Sequence, residues 1–354
     1  MQNLLLILGA VLIVFSWMHL IRYEVWWIRA ADFPHLQLAV PLLVIFVAYL
    51  IWFDIDSPKE YVFIYVTAIT LIYHLYRIRP YTRLHSHQVL SSEKEQKSGD
   101  GLKLLIFNVF MDNTRCDEFL QQVYQYNPDI VLAVETNQHW MNKLKPLEKI
   151  YAYRVSCPLE NTYGMLFYSR FPIKHKEINF LVQDDIPSLY VQLTLPSKRV
   201  IDLYGVHPRP PAPGENNRST ERDVELIQVG KRAKVATNPV IVAGDLNDVA
   251  WSHTTRLFQR LSGLLDPRIG RGFFNTFNAK YWLLRWPLDH VFVSHHFKLI
   301  DIERLPNCGS DHFPMFAHFC YEPDPEAKEN KPQAEASDYK EASEKEQQLE
   351  EEKA

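Results

Sequence analysis

The sequence predicts an α/β domain carried behind an apolar, membrane-spanning beginning. Three observations lead there. The first eighty residues contain three long runs free of Asp, Glu, Lys and Arg. Beyond residue 100, short β-branched and apolar runs alternate with segments of helical character, the order expected of an α/β protein. Most of those short runs end on a residue capable of chemistry.

The apolar runs are Leu4 to Ile21, Leu36 to Phe53 and Tyr61 to Tyr76. Each approaches the roughly 20 residues that cross a bilayer, with about 17 as the lower end. The first lacks the basic start and the small-residue cleavage site of a signal peptide. Trp17, Trp26, Trp27, Trp52, Tyr61 and Tyr76 sit at the edges, as in an interfacial belt. His74, inside the third run, is expected to meet an interface or a helix neighbour rather than a metal. Arg22 and Arg29 lie in the first loop, and Arg77, Arg79 and Arg83 follow the third span. The second loop, Asp54 to Glu60, is mainly acidic. The positive-inside rule then puts the first loop and the main domain in the cytoplasm.

Ser91 to Gly101 is polar and reads as a linker. Leu102 to Asn108 reads as a strand, and Thr114 is expected to cap a helix from Arg115 to Tyr126, broken before Pro128. Further strands are expected at Ile130 to Glu135, Gly164 to Ser169, Val191 to Leu195 and Val200 to His207. A proline-rich loop follows, with Pro208, Pro210, Pro211 and Pro213. Helices are expected from Ser219 to about Thr237 and from Thr254 to Leu261. Leu288 to Val293 and Phe313 to Phe319 close the series as strands.

From Pro323 the chain holds eleven acidic residues and five lysines, with Leu349 and Tyr339 as its large apolar groups. Such a segment buries too little surface to fold alone and is expected to be disordered, a solubilising tail or a contact arm. Removing its net −6 from the overall −4 leaves the rest at +2, too little to demand the basic stripes of a duplex-binding protein. Cys116, Cys157, Cys308 and Cys320 form no CxxC pair, so neither a zinc knuckle nor a dense disulfide framework is indicated. The domains are therefore 1–80, a membrane anchor with spans at about 4–21, 36–53 and 61–78; 81–100, a linker; 101–322, a catalytic domain; and 323–354, the tail.

The chemistry centres on Val240 to Trp251, where a buried strand ends in Gly244, Asp245, Leu246 and Asn247. Asp245 and Asn247 share a face if the backbone stays extended. A carboxylate there takes a proton from water, and an amide holds a substrate oxygen. Asn108, Glu135, His207, Asp289 and the Ser310-Asp311-His312 run also lie at strand ends, and strand ends on one rim collect in space. Glu135, Asp311 and Asn108 offer hard oxygen ligands suited to Mg²⁺ or Mn²⁺. His207 and His312 are able to donate to a phosphate, and Asp289 is a candidate partner for His312. Each residue alone is more often structural than functional; the ordered set reverses that balance.

The motifs Leu104-Leu-Ile-Phe-Asn108, Val134-Glu135, Gly205-Val-His207, Gly244-Asp-Leu-Asn247, Leu288 to Ser294 and Ser310-Asp-His312 resemble the endonuclease/exonuclease/phosphatase superfamily, in its bacterial membrane-anchored branch. The resemblance covers about residues 101 to 321. It implies a four-layer α/β sandwich, two packed β-sheets flanked by helices. It implies Glu135 as main Mg²⁺ ligand with Asn108 near it and Asp311 in the metal region. Asp245 would activate the water, and Asn247 would hold a phosphate oxygen. His312 with Asp289 would stabilise developing charge, and His207 would flank the phosphate. The reaction implied is in-line hydrolysis of a P–O bond in a nucleic acid, a phospholipid or a small phosphodiester, with a phosphomonoester as the alternative.

Other residues stay open at this stage. Tyr163 is either a phenol at the substrate or core, and Asn161 is open in the same way; His290 is expected to pack behind the site. Arg218 and Arg222 are either phosphate contacts or a solvated helix face, and Trp251 is either a substrate wall or core. The aromatic run Tyr281 to Pro287 is expected to border the site, meeting the bilayer or a lipid, or else to be a buried strand edge. The rival reading is a non-catalytic membrane scaffold, against which the intact set of Glu135, Asp245, Asn247, Asp289 and His312 argues. Partners expected are the phosphoester and the lipid bilayer of an inner membrane, with no obligate protein partner.

Overall fold

The computed structural model describes residues 1–92 and 100–353. It begins with helices α1 (Gln2–Met18), α2 (Trp26–Arg29), α3 (His35–Trp52) and α4 (Pro58–Ile78). α3 and α4 are long and apolar enough to cross a membrane. α1 is a shorter apolar helix of 17 residues, about 25 Å at the usual rise per residue. Ser57 and Glu60 form a capping box that starts α4 at Pro58. Gly9 lets α1 approach Phe63, where a Cβ would come within 2.5 Å of the ring. Two hydrogen bonds tie the helices together: Trp17 Nε1 donates to Thr70 Oγ1 at 2.9 Å, and Gln2 Nε2 donates to Glu60 Oε1 at 2.9 Å. His74 meets helix neighbours, Ser16 Oγ at 2.8 Å and His35 Nδ1 at 2.9 Å. The outward faces expose Ile7, Val14, Val44 and Ile72.

The domain follows as β1 (Gly101–Asn108), α5 (Cys116–Tyr126), β2 (Ile130–Val134), α6 (Gln138–Lys143), β3 (Tyr153–Cys157), β4 (Met165–Ser169), β5 (Ile173–Asn179), β6 (Ser188–Thr194) and β7 (Val200–Val206). It continues with α7 (Thr220–Val235), β8 (Val240–Asp245), α8 (His253–Ser262), β9 (Asp289–Val293), β10 (Phe297–Arg304) and β11 (Met315–Tyr321). One sheet runs β10-β11-β1-β2-β4-β3 and the other β5-β6-β7-β8-β9. β1 with β2 and β7 with β8 are parallel; the remaining pairs are antiparallel. Leu104, Ile106 and Leu132 of the first sheet share a core with Leu203, Ile241 and Val291 of the second. Phe107 packs outward on Phe119 of α5 and Trp140 of α6. Val242 and Phe292 pack outward on Leu226 of α7 and Phe258 of α8. Two mixed sheets packed face to face and flanked by helices are the sandwich expected, since the central strands are covered on both sides.

β3, β5 and β10 were not expected from the sequence. All three lie at sheet edges. Edge strands carry charge on their open side, which erases the apolar pattern; β5, Ile-Lys-His-Lys-Glu-Ile-Asn, is exposed over most of its length. The helix expected from Arg115 starts at Cys116, and the side chain that caps the turn is Asn113, whose Oδ1 accepts from Arg115 N at 2.9 Å.

Two expectations about the ends of the domain are corrected. The linker expected at 81–100 is partly a packed strap. Val89 is buried in the inter-sheet core, and Leu299 N donates to Leu90 O at 2.8 Å. Residues 93–99 of that expectation lie outside the described part. The tail expected to be disordered forms α9 (Pro325–Glu329) and α10 (Ala336–Lys353). α10 does not stand alone. Ala342 packs on Ile227, Leu257 and Leu261, and Leu349 packs on Val182 and Val224. Lys345 Nζ reaches Asp223 Oδ2 at 2.9 Å and Glu24 Oε1 at 2.5 Å, and Arg260 grips Asp338 through two bonds of 2.9 Å. Charges that looked like a solvated run thus have fixed partners on α7 and α8.

The N-terminal helices and the domain are joined through hydrogen bonds to backbone oxygens. Trp26 N donates to Asn217 O at 3.0 Å, and Ser219 N donates to Glu24 O at 2.8 Å. Trp251 Nε1 donates to Asp32 O at 2.8 Å, Arg77 donates to Trp251 O, and Tyr81 Oη donates to Ala250 O at 2.7 Å. Trp251 is therefore the joint of the two parts, not a wall of the substrate site.

Candidate active site

The ends of β1, β2, β7 and β8 and the starts of β9 and β11 meet on one rim. Register explains it: Asp245 at the end of β8 is opposite Asp289 at the start of β9, and β1 and β2 run in step up to Asn108 and Val134. Asn108 Nδ2 donates to Glu135 Oε1, beside it on the same sheet, at 2.7 Å and, across the sandwich, to Asp245 Oδ2 at 2.9 Å. His207 Nε2 lies 3.9 Å from both Glu135 Oε1 and Asp245 Oδ2. His312 Nδ1 lies 2.8 Å from Asp289 Oδ2, and its Nε2 lies 3.5 Å from Asp245 Oδ2.

The backbone is unusual at these points. Glu135 and Asn247 hold left-handed φ angles of 58° and 52°, a strained region for such residues that clusters at functional sites. Gly244, at φ 142°, is required: a Cβ there would sit 2.0 Å from Val206 O, the strand leading to His207. The turn after it is fixed by Asn247 N donating to Asp245 Oδ1 at 2.9 Å and by Asn247 Nδ2 donating to Pro208 O at 2.9 Å. The extended backbone expected from Asp245 to Asn247 is thus a tight turn.

Burial and charge separate the two histidines. Burial pushes His207 down to about 4, against the pull of Asp245, so it is neutral near pH 7. Burial also disfavours the His312 cation, but Asp289 and Asp245 outweigh it and hold its pKa up at about 10. His312 is an imidazolium over the whole neutral range. Burial raises Asp245, and burial pushes Glu135 up to about 7, with the Asn108 amide opposing and Asp245 and Asp311 adding to the rise.

That crowding bears on the metal. Buried carboxylates pushed upward together, with hard oxygen donors, suit a divalent cation that would let them ionise. Glu135 is the carboxylate among them on which Asp311 acts electrostatically, and the two could hold such a cation. Atoms of Asp245, Asp289 and His312 also fall within 4.8 Å of one another. His312 Nδ1 is committed to Asp289, however, so this trio is a cation held between two carboxylates rather than a ligand set. Asn108 departs from its expected role as an oxygen ligand. Its Oδ1 accepts from Phe110 N at 3.1 Å, and its amide nitrogen is what faces the carboxylates. Tyr163 departs too: its hydroxyl donates to Glu215 Oε2 at 2.9 Å, and its ring lies 5.3 Å from that of His207. It braces the histidine from behind.

Several residues matter that sequence reasoning placed elsewhere or passed over. Arg222 is buried, donating to Asn247 O at 2.9 Å and lying 3.5 Å from Asp248 Oδ1; it is a brace for the Gly-Asp-Leu-Asn turn, not a solvated face. Arg218 is the exposed one and pairs with Glu352 at 3.2 Å. His290 packs behind the site as expected, near Asp248 O at 2.8 Å and Arg268 at 2.6 Å. Asn161 donates to Asp185 O, away from the rim. Phe277 flanks His312 with ring centroids 4.9 Å apart. Beside it opens a cleft of about 560 Å³, lined by His312 and Asn247 at one end and otherwise largely by apolar side chains of the loops at 26–34, 210–213 and 277–288. Only the run of aromatics before Asp289 signalled it in the sequence.

A sandwich of this topology with a buried carboxylate, amide and imidazolium on one rim defines a phosphoesterase class of site. A model of the Endonuclease/Exonuclease/phosphatase family matches residues 105–312, over half of the chain, and the chain belongs to that family. It is accordingly a metal-dependent hydrolase acting on phosphate esters. Solved structures agree in fold. A humanized D. rerio TDP2 is 19% identical with a TM-score of 0.52, covering 62% of this chain and 99% of its own. D. rerio TDP2 complexed with single-strand DNA product is 20% identical with a TM-score of 0.51, covering 62% and 98%. The human Nocturnin catalytic domain with bound sulfate is 16% identical with a TM-score of 0.51, covering 63% and 95%. No curated protein sequence matches the chain.

Proposed function

We propose that the chain is a membrane-anchored phosphodiesterase that breaks one P–O bond by in-line attack of a water activated by Asp245. The observation that carries this is the setting of Asp245. Its buried carboxylate is oriented by Asn108 Nδ2 at 2.9 Å and lies 3.5 Å from His312 Nε2. A carboxylate raised by burial is a better base than one in water. The His312 imidazolium, held by Asp289, meets charge developing on the phosphate, and the Asn247 amide orients a phosphate oxygen. Neutral His207 donates a hydrogen bond from the opposite side. Glu135, with Asp311, would hold Mg²⁺ or Mn²⁺, which would neutralise phosphate charge as a Lewis acid.

The apolar helices α1, α3 and α4 serve as three spans of a bacterial inner membrane, with the catalytic domain in the cytoplasm. Support comes from the chain path. The Arg22–Arg29 loop and the Arg77–Arg83 segment lie together against the domain, on the side the positive-inside rule assigns to the cytoplasm.

The test is hydrolysis by the full chain in lipid nanodiscs with Mg²⁺ or Mn²⁺. Bis(p-nitrophenyl) phosphate is compared with p-nitrophenyl phosphate, beside Asp245→Ala. Metal-dependent turnover of the diester, reduced at least about 100-fold in the variant, is expected. Unchanged turnover in Asp245→Ala, or none from folded protein, would overturn the reading.

A further inference from the structure

We infer that the active site takes its phosphoester from the bilayer, seating an apolar chain of the substrate in the cleft between anchor and catalytic domain. This rests on the phosphodiesterase reading above and adds the substrate class, a lipid phosphodiester. The cleft volume of about 560 Å³ falls in the range of small-molecule sites. One wall is the loop between α1 and α3, with Trp26, Phe33 and Pro34. The facing wall is Pro211, Phe277 and Trp286 of the domain. The two walls meet where Phe33 and Trp286 touch edge to face at 5.6 Å. The polar end is formed by His312 and Asn247, the residues placed at the phosphate. A substrate filling it would therefore have its charged group at the reacting residues and its apolar part between the two walls.

The entrance points to the bilayer. Tyr281, Trp282, Leu283 and Leu284 are four consecutive exposed apolar residues, with Trp282 75% exposed. The backbone oxygen of Leu283 accepts from Gln37 Nε2 at 3.0 Å, on the first turn of α3. The exposed tip is thus tied to the end of a span, the level at which aromatic residues meet headgroups. A nucleic-acid strand is the poorer fit. The basic group on the cleft wall, Arg29, is already used: it donates to Tyr23 O at 2.9 Å and to Ile21 O at 2.7 Å, and lies 3.6 Å from Asp32.

In the reaction, the water oxygen bonds to phosphorus and one P–O ester bond breaks. The departing oxygen keeps the electron pair, and the water proton passes to Asp245. The experiment uses the full chain in nanodiscs with Mg²⁺ or Mn²⁺ and two chromogenic diesters sharing one leaving group. These are methyl p-nitrophenyl phosphate and hexadecyl p-nitrophenyl phosphate, the latter in the bilayer; a single-stranded oligonucleotide is the third arm. The hexadecyl diester is expected to have a kcat/KM at least about tenfold above the methyl diester. Ala30→Trp and Ala212→Trp narrow the cleft from opposite walls and are each expected to cut the hexadecyl-to-methyl ratio about tenfold. Two variants keep the test standing if one does not fold. Equal rates on the two diesters, a ratio unmoved in both folded variants, or preferred cleavage of the oligonucleotide would overturn the lipid assignment while leaving the phosphodiesterase intact. Hydrolysis of none of the three would remove the phosphodiesterase reading and this inference with it.

Discussion

Asp289 Oδ2 stands 2.8 Å from Nδ1 of His312, and both side chains are buried. The pair keeps His312 charged where burial alone would neutralise it. Its folded pKa, about 10, lies above the ordinary 6.5. The stabilisation is therefore complete below pH 6.5 and is lost as pH rises through about 10. Asp289→Asn is expected to lower the alkaline limit of the pH–rate profile toward neutrality and to reduce kcat by about 10²- to 10⁴-fold, the range for a mis-set histidine. A profile whose alkaline limb stays put would contradict this.

Glu135 titrates in the opposite functional sense. Its carboxyl is pushed up to about 7 in the cation-free protein. A raised acid stabilises the fold below its ordinary value, near 4.5, and that contribution fades as pH climbs through about 7. A bound cation favours the ionised form. The rise in thermal midpoint on adding Mg²⁺ or Mn²⁺ is expected to be larger at pH 8 than at pH 6. Scanning calorimetry of Glu135→Gln is expected to show most of that rise gone.

Arg222 acts on the Gly-Asp-Leu-Asn turn without touching the rim. Arg222→Met keeps much of the stem and removes the bonds to Asn247 O and the Asp223 carboxylate. Asp223 keeps Lys345 Nζ at 2.9 Å, so the expected cost is that of lost hydrogen bonds to a charged group, about 1.5–3 kcal/mol. Chemical denaturation should register that loss; a stability within error of the parent would refute the bracing role.

Trp251 couples the N-terminal helices to the domain. Trp251→Ala removes the bond to Asp32 O and the ring packing on Tyr81 and Phe273. The expected cost is about 3–5 kcal/mol. Faster hydrogen exchange at residues 77–82 and 249–252 would accompany it, and unchanged protection there would place the joint elsewhere.

Lys345 sits between Asp223 of α7 and Glu24 of the first anchor loop. Lys345→Met is expected to lower stability by about 1.5–3 kcal/mol, the worth of hydrogen bonds to charged groups. Urea titration checks it, and an unaltered midpoint would show that the Lys345 pairs do not hold α10.

What the sequence made legible follows burial. Strands such as Ile130–Val134 and Val240–Asp245 are buried along their whole length and apolar up to their polar ends, and they stood out at once. The edges β3, β5 and β10 did not, since one side faces water and carries Lys, Glu or Arg. The polar residues that gather on the rim were visible because polar groups closing an apolar strand are conspicuous. Their hydrogen bonds were not: nothing in the order of residues says that Asn108 turns its nitrogen toward Glu135, or that the Tyr163 hydroxyl is taken by Glu215. The same limit hid the fate of α10, whose charges look solvated until Asp223 and Arg260 are placed beside them. The cleft was harder still, since its walls come from segments some 250 residues apart.

The bond from Asn108 to Asp245 crosses from one sheet to the other. Neither sheet owns together the carboxylate proposed to activate water and the amide that orients it. A swollen intermediate with both ladders intact would keep its far-ultraviolet circular dichroism yet hold the two groups out of reach. Catalysis in this molecule is then a gauge of how tightly the sandwich is shut, and it should fade on mild heating or acidification well before the secondary structure does.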